Sequence, residues 1–283
     1  MPTVVIGNIS VGGAGKTPLT LYLAQRLAAM GHTPGIVSRG YRSRLRGECE
    51  VLIDSAAEDV GDEAVLLKQR SGVPVFVGRH RGEAAEALLA VHPQCSIILC
   101  DDGLQHYALQ RDVEIAVIDR RGFMNGWLLP AGPLREPTRR LARVDACVLH
   151  DTSVVVTADV PTFRMRLIGK KFSLLGDANR QCNAEALRGQ QLYACAGIGE
   201  PERFFDHLRS LGLTFNSRGF DDHHRYSTSD FDIDADAILT TEKDAVKCAG
   251  LTQLPIWVLP VDAVVEPDLA KFILERLDGF PSA

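Results

Sequence analysis

Long apolar runs are missing from this sequence. No stretch approaches the roughly 20 residues that a bilayer-crossing helix needs, and no signal peptide is visible at the start. A membrane-spanning or secreted chain is therefore not expected. Paired cysteines are missing too: the seven are scattered, odd in number and without a C-x-x-C pair. That excludes a disulfide framework and a zinc site and fits reduced thiols in a cytoplasmic setting, with Cys95, Cys100, Cys147 and Cys195 read as small core residues. There are no internal repeats and no low-complexity tracts. An excess of positive charge is absent as well, since the net charge is −5, and no nucleic-acid-binding motif is present, so no nucleic-acid partner is expected.

What remains is the composition of an ordered α/β protein: 283 residues, 46% hydrophobic and 24% charged, enough for one large or two modest domains. The charge is uneven. Through His150 there are 17 Lys+Arg against 16 Asp+Glu, and beyond it 14 against 20. Arginines gather at Arg39, Arg42, Arg44 and Arg46 and again at Arg135, Arg139, Arg140 and Arg143. Such clusters suit phosphorylated substrates or anionic headgroups, although a solvated basic surface accounts equally well for any single arginine.

The most specific string is Ser10-Val11-Gly12-Gly13-Ala14-Gly15-Lys16-Thr17. It follows the apolar run Val4-Val5-Ile6, read as a buried strand, and precedes a helical pattern of Leu19, Leu23, Leu27 and Met30. Strand, glycine-rich turn and helix is the context of a phosphate-binding loop. Glycines let backbone N–H groups curl around an anion, and the helix N-terminus adds its positive dipole end. Lys16 would reach the outer phosphates of a nucleotide and the Thr17 hydroxyl would bind Mg²⁺. Ser10 stands where the strict pattern has its first glycine.

Short apolar runs alternate with helical patterns. Strands are expected at 4–9, 33–38, 73–77, 96–100, 113–118 and 146–149, with helices at 59–70 and 81–91. A second series has strands at 192–196, 237–240 and 256–261, with helices at 200–211 and from Pro267. The expected fold is α/β: a P-loop NTPase-like, mostly parallel sheet covered by helices on both faces, joined by a β-stranded hinge to a second, smaller α/β domain. The expected boundaries are 1–153 for the nucleotide domain, 154–183 for the linker and 184–283 for the smaller domain. Val154 to Thr157 and Phe163 to Leu167 are read as the exposed β pair of that hinge.

Ile97 to Cys100 ends in Asp101-Asp102, the form of a Walker-B element whose acid holds Mg²⁺ directly or through water. Gln105 and His106 add polar groups at the same sheet edge. Gly61-Asp62-Glu63 opens a helix, where the acids alone would serve the helix dipole. A proline-stiffened loop runs from Gly126 to Pro137, and its Arg135-Glu136 pair would contact phosphate and metal. Asp221-Asp222-His223-His224 is an acid-flanked histidine pair, with His224 pointing away from its neighbour if the segment is extended. Thr241-Glu242-Lys243-Asp244 ends a strand and starts a helix with Thr241 as N-cap, for which a structural role suffices.

Taken in order, these strings resemble the tetraacyldisaccharide 4′-kinase family of lipid A biosynthesis. The resemblance runs through Gly7-Asn8, Gly12 to Pro18, Ser38 to Tyr41, Gly61 to Glu63, Asp101 to His106, Leu128 to Pro137, Ala196 to Gly199, Asp222-His223 and Thr241 to Lys247. It implies transfer of the ATP γ-phosphate, with Mg²⁺, to the 4′-hydroxyl of a tetraacyldisaccharide 1-phosphate. Asp62 matches the family's proposed base, and His223 would hydrogen-bond or orient it across the two domains. Lys16 and the loop from Ser10 to Thr17 would hold the nucleotide, and Thr17, Asp101, Asp102 and Glu136 the metal. Arg39, Tyr41, Arg79, Arg81, His106 and Arg135 form the candidate substrate set. The family commonly has Phe where Leu104 stands, and its members usually carry an N-terminal apolar or amphipathic segment that this sequence does not show. The implied location is peripheral, on the anionic cytoplasmic face of the bacterial inner membrane, with no protein partner implied.

Two other readings share the glycine-rich loop. One is a carboxylate-activating or metal-insertase ATPase. The other is a nucleotide-switched positioning protein, which usually places a signature lysine where Val11 stands. Neither accounts for Asp222-His223 together with the Leu128 to Pro137 loop.

Overall fold

The computed structural model describes residues 1–44, 46–156 and 158–279. They form two compact units. One comprises residues 1–167 and the returning C-terminal segment from Ala263; the other runs from Ile168 to Asp262.

In the first unit the strands are β1 (Thr3–Gly7), β2 (Pro34–Ser38), β3 (Cys49–Glu50), β4 (Val75–Val77), β5 (Ile97–Asp101), β6 (Val113–Asp119), β7 (Ala146–His150) and β8 (Thr162–Ile168). The helices among them are α1 (Lys16–Ala29), the single turn α2 (Ala57–Val60), α3 (Asp62–Ser71) and α4 (Arg81–Val91). The second unit carries β9 (Lys171–Leu174), β10 (Asp177–Asn183), β11 (Leu192–Ala196), α5 (Pro201–Ser210), β12 (Phe215–Gly219), β13 (Ala237–Thr241), the turn α6 (Glu242–Ala245) and β14 (Ile256–Leu259). The chain returns to the first unit through β15 (Asp262–Glu266) and α7 (Leu269–Asp278).

The first sheet has nine strands in the order β15-β8-β7-β6-β1-β5-β2-β4-β3. Its central pairs are parallel, and the short β3 is antiparallel to β4. Every residue of β1, β2 and β5 is buried, which requires cover on both faces and explains their unbroken apolar runs. The second sheet has six strands, β10-β9-β14-β13-β11-β12, with β11 to β14 parallel and the β9–β10 hairpin antiparallel at one edge. Phe172, Phe205, Leu208, Leu192 and Trp257 belong to its core. The mostly parallel, helix-flanked architecture is the one expected.

Three expectations are corrected. The helix expected over 59–70 is broken at Gly61, whose φ of 96° ends α2 and lets α3 start at Asp62. Phe163 to Leu167 is no exposed hinge strand but part of β8, which pairs parallel to β7 and buries Phe163 and Met165 on one face. Val154 to Val156 form no strand, and Thr157 lies outside the described residues. The third correction concerns the divisions at 153/154 and 183/184. The expected linker is shared out, β8 to the first unit and β9 with β10 to the second. The C-terminal helix joins the first unit because Leu269, Ala270 and Ile273 are buried, Phe272 packs 5.2 Å from Phe163, and Arg276 and Asp268 pair with Asp145 and Arg26.

Candidate active site

Parallel β1 lies between β5 and β6, so the loop leaving β1 and the end of β5 emerge side by side at the carboxyl edge of the sheet. This is where ligands of open α/β sheets sit. The β1–α1 loop is shaped by two glycines in the left-handed region, Gly12 (φ 93°) and Gly15 (φ 92°). A Cβ on Gly15 would come within 2.5 Å of His150 Nδ1, and one on Gly12 within 2.5 Å of the Arg121 guanidinium. His150 is buried and its Nδ1 pairs with the Ala14 carbonyl at 2.9 Å, so it braces the loop from β7. Gly13 has nothing within 4 Å of its Cβ position, which leaves the loop's crest open to a ligand. Gly15→Ala is accordingly expected to destabilise the fold by about 1–2 kcal/mol from the left-handed backbone alone, with the His150 clash adding to it. Urea unfolding of the variant checks this.

Lys16 opens α1. Its Nζ donates to Asn8 Oδ1 at 3.2 Å and faces Asp102 Oδ1 at 3.5 Å. Thr17 follows, half-buried in the first turn. One turn beyond Lys16, the Thr20 hydroxyl donates to Asp101 Oδ1 at 3.0 Å. The paired carboxylates therefore diverge. Asp101, the last residue of β5, is buried; burial, reinforced by the Glu63 and Asp102 carboxylates, pushes its pKa up to about 7. Asp102 turns the chain at φ 49° and remains partly open. Burial works against its charge, but the Lys16 and Arg135 cations outweigh it and hold the carboxyl below its ordinary value.

The Leu128 to Pro137 segment is bound to the phosphate loop. Val11 N donates to the Pro133 carbonyl at 2.8 Å, Arg135 N to the Ile9 carbonyl at 2.7 Å, and Ser10 bridges to Leu134. Arg135 Nη1 reaches Asp102 Oδ1 at 3.2 Å and Gln105 Oε1 at 3.2 Å. Glu136 accepts from Gln105 Nε2 at 2.7 Å and from the Tyr107 hydroxyl, and pairs with Arg140 Nε at 3.3 Å. Lys16, Asp102, Arg135, Gln105 and Glu136 thus form one connected polar cluster.

A second group lies beside it. The Arg81 guanidinium is buried and donates to the Gly78 carbonyl at 3.1 Å, and the Arg81 N–H donates to His106 Nε2 at 3.2 Å. Burial lowers the pKa of Arg81, with Arg39 adding like-charge repulsion. Burial also lowers that of His106, reinforced by Arg81, Arg111, His80 and Arg39. Arg39, Arg81 and His106 therefore share one region, whose positive charge belongs to the two arginines and disfavours the charged form of His106; Arg79 is exposed, and its carbonyl accepts from Arg81 Nη1.

Asp62 is buried at the start of α3, its Oδ1 accepting from Glu63 N at 2.8 Å. Tyr41 is half exposed; its carbonyl lies 3.1 Å from the Gly61 Cβ position. In the second unit, His223 lies in a turn after β12 at φ 61°, beside Asp222 and Lys243. The segment is not extended, so the expected strand-like alternation of His223 and His224 does not hold. His224 stacks on Phe220 at 4.2 Å and meets Asp230 Oδ2 at 3.2 Å.

Thr20, Tyr107, His150 and the contact of Asn8 with Lys16 were not expected at the site, and Arg140 was expected only as one of an arginine cluster. Thr20 carried a signal, its place four residues after Lys16 on the same helix face. The Asn8 contact is local to the β1–α1 loop, whereas those of Tyr107, Arg140 and His150 join segments distant in sequence.

The site has the parts of a P-loop phosphotransferase: a phosphate loop opening a helix, its lysine beside a strand-end carboxylate, and an arginine fixed to that carboxylate. The family model for tetraacyldisaccharide-1-P 4′-kinase matches residues 1–278, and the chain belongs to that family. It is 54% identical over 282 residues to the tetraacyldisaccharide 4′-kinase of Dechloromonas aromatica, covering 99% of this chain and 85% of the relative. The corresponding Azoarcus protein is 47% identical over 284 residues, covering 99% and 83%. Among solved structures, the "apo" form of LpxK from Aquifex aeolicus in complex with ATP superposes with a TM-score of 0.79 at 30% identity, covering 98% of this chain and 88% of that one.

Proposed function

We propose that this kinase transfers the γ-phosphate of ATP to the 4′-hydroxyl of a tetraacyldisaccharide 1-phosphate. The single observation that carries the reading is the Lys16–Asp102–Arg135 cluster at the open crest of the Gly12 to Gly15 loop. A Cβ-free crest, left-handed glycines and a lysine held by a carboxylate fit a triphosphate. Thr17, Asp101, Asp102 and Glu136 supply the oxygen donors that suit Mg²⁺, which when bound neutralises charge building on the transferring group.

In this reading Lys16 and the loop N–H groups hold the outer phosphates. Asp62 accepts the proton of the 4′-hydroxyl as its oxygen bonds to the γ-phosphorus and the bond to the leaving ADP oxygen breaks. His223 assists the same proton transfer. The cationic Arg39 and Arg81 with the His106 ring beside them, and Tyr41 and Arg79 nearby in sequence, receive the 1-phosphate of the acceptor. Arg135 stays tied to Asp102 and Gln105, which favours a role at the transferring phosphate. Phosphoryl transfer has a loose transition state, so positioning and charge supply most of the rate. The test is ATP consumption with and without the acceptor, with the nucleotide-switch reading predicting no dependence on it.

The finer statement about location also belongs here. Among the described residues no helix is long and apolar enough to cross a membrane. Met124, Trp127, Leu128 and Leu129 are nevertheless exposed at 68, 65, 45 and 54% on one short segment, with Arg120, Arg139 and Arg143 close in sequence. We read this segment as the contact with the anionic cytoplasmic face of the inner membrane, its tryptophan suited to the headgroup region. Vesicles containing anionic lipid are expected to bind the protein and shift Trp127 emission to the blue; Trp257 is buried and contributes a constant background. Trp127→Ala should weaken binding that persists in salt, whereas the arginine contribution should fade with salt. Equal vesicle binding by wild type and Trp127→Ala in high salt would remove the apolar contact.

A further inference from the structure

We infer that Lys243 is a positioning residue that fixes the tautomer of His223, keeping Nε2 as the hydrogen-bond acceptor and Nδ1 as the protonated, donating nitrogen. The inference rests on the reading that His223 serves the reaction, and it gives the Thr241 to Lys247 string a task beyond helix capping.

The geometry is built within the second unit. Parallel β11 and β13 are neighbours, so the turn after each strand emerges at the same edge. Gly197, just past β11, accepts from His223 N at 3.1 Å and donates its own N–H to Asp244 Oδ2 at 2.9 Å. Asp244 is fully buried and also accepts from the Thr241 hydroxyl at 2.7 Å and Lys247 Nζ at 2.9 Å. A Cβ on Gly197 would lie 3.1 Å from both Asp244 Oδ1 and His224 Cβ, so the two turns touch through a glycine backbone. This clamp sets the backbone of His223 in its left-handed conformation.

Lys243 then sets the ring. Its Nζ lies 3.0 Å from Asp222 Oδ1 and 3.2 Å from His223 Nε2. An ammonium has donors and no acceptor, so an imidazole nitrogen at that distance must accept. Asp222 Oδ2 is 3.7 Å from the same nitrogen, beyond hydrogen-bond range, and its partner oxygen is taken by Lys243. The lysine therefore stands between the carboxylate and the ring and prevents Asp222 from drawing a proton onto Nε2. In that tautomer the proton sits on Nδ1, which makes that nitrogen a donor of the kind a carboxylate accepts from.

The test uses the full chain with ¹⁵N-labelled histidine. Long-range ¹H–¹⁵N spectra, with the His223 signals assigned by their loss in His223→Ala, should show an unprotonated Nε2 and a protonated Nδ1. Lys243→Met should lose that signature and lower kcat by about tenfold or more, a part of what a positioned base contributes. The KM for ATP should stay within about twofold, because nucleotide contacts lie elsewhere. Lys243→Arg, which retains donors and charge, should recover part of both. A wild-type spectrum with the proton on Nε2 overturns the inference, as does an unchanged spectrum or unchanged turnover in Lys243→Met. Normal turnover by His223→Ala would overturn the parent reading instead, and the tautomer measurement on resting protein keeps the two failures distinct.

Discussion

Lys16→Ala is expected to abolish measurable phosphoryl transfer while the protein stays folded. The side chain donates a hydrogen bond to the Asn8 side-chain carbonyl and pairs with Asp102, so little packing is lost with it. Its removal takes away the cation aimed at the outer phosphates and leaves Asp102 less well neutralised at the same spot. Losing one preorganised charge contact of this kind lowers kcat by about 10²–10³-fold, and the repulsion between Asp102 and the phosphates deepens the loss. Circular dichroism and urea unfolding should match wild type, while a coupled ADP assay reads the turnover. Wild-type turnover in a folded Lys16→Ala protein would remove the nucleotide site from this loop.

Asp62→Ala and His223→Ala are each expected to reduce kcat by about 10²–10⁴-fold, the range of a positioned general base. The KM for ATP should change little. Asp62 is buried at the first turn of α3, with one oxygen already bonded to Glu63 N, so its carboxylate is set rather than mobile. If His223 and Asp62 serve one step, the double variant should lose far less than the product of the two single losses, as residues that work as a unit are not additive. Multiplicative losses would assign them separate roles. His224→Ala should keep near-normal kcat and instead lose stability, because His224 packs on Phe220 and Tyr226 and pairs with Asp230.

The phosphate loop and the main strands were legible because their signals are local. Val4 to Ile6, the glycines and Lys16-Thr17 carry their own context, and Arg81–Val91 and Leu192–Ala196 have the bounds their apolar patterns imply. The helix start at Gly61-Asp62 was legible, but the separate turn α2 just before it was not, so the acidic approach Glu58-Asp59 was merged into one helix over 59–70. Phe163 and Met165 alternate with polar residues, and only the return of α7 shows which face they bury. The site followed the same rule. Lys16, Asp101 and Asp102 were readable as strand-end and helix-start chemistry, whereas Thr20 on Asp101 and Tyr107 on Glu136 depend on strands distant in sequence. Thr241 was readable as a cap, and the structure bears that out through Asp244 N. The contact of Lys243 with His223 was not readable, since it requires the adjacency of β11 and β13.

The central claim is tested most directly by supplying γ-³²P-labelled ATP and Mg²⁺ with a tetraacyldisaccharide 1-phosphate and following the label. The account predicts label on the glycolipid at the 4′-position, dependent on Lys16 and Asp62, and little ATP consumption without the acceptor. ATP hydrolysis that proceeds equally with or without the acceptor, leaving the glycolipid unlabelled, would contradict it.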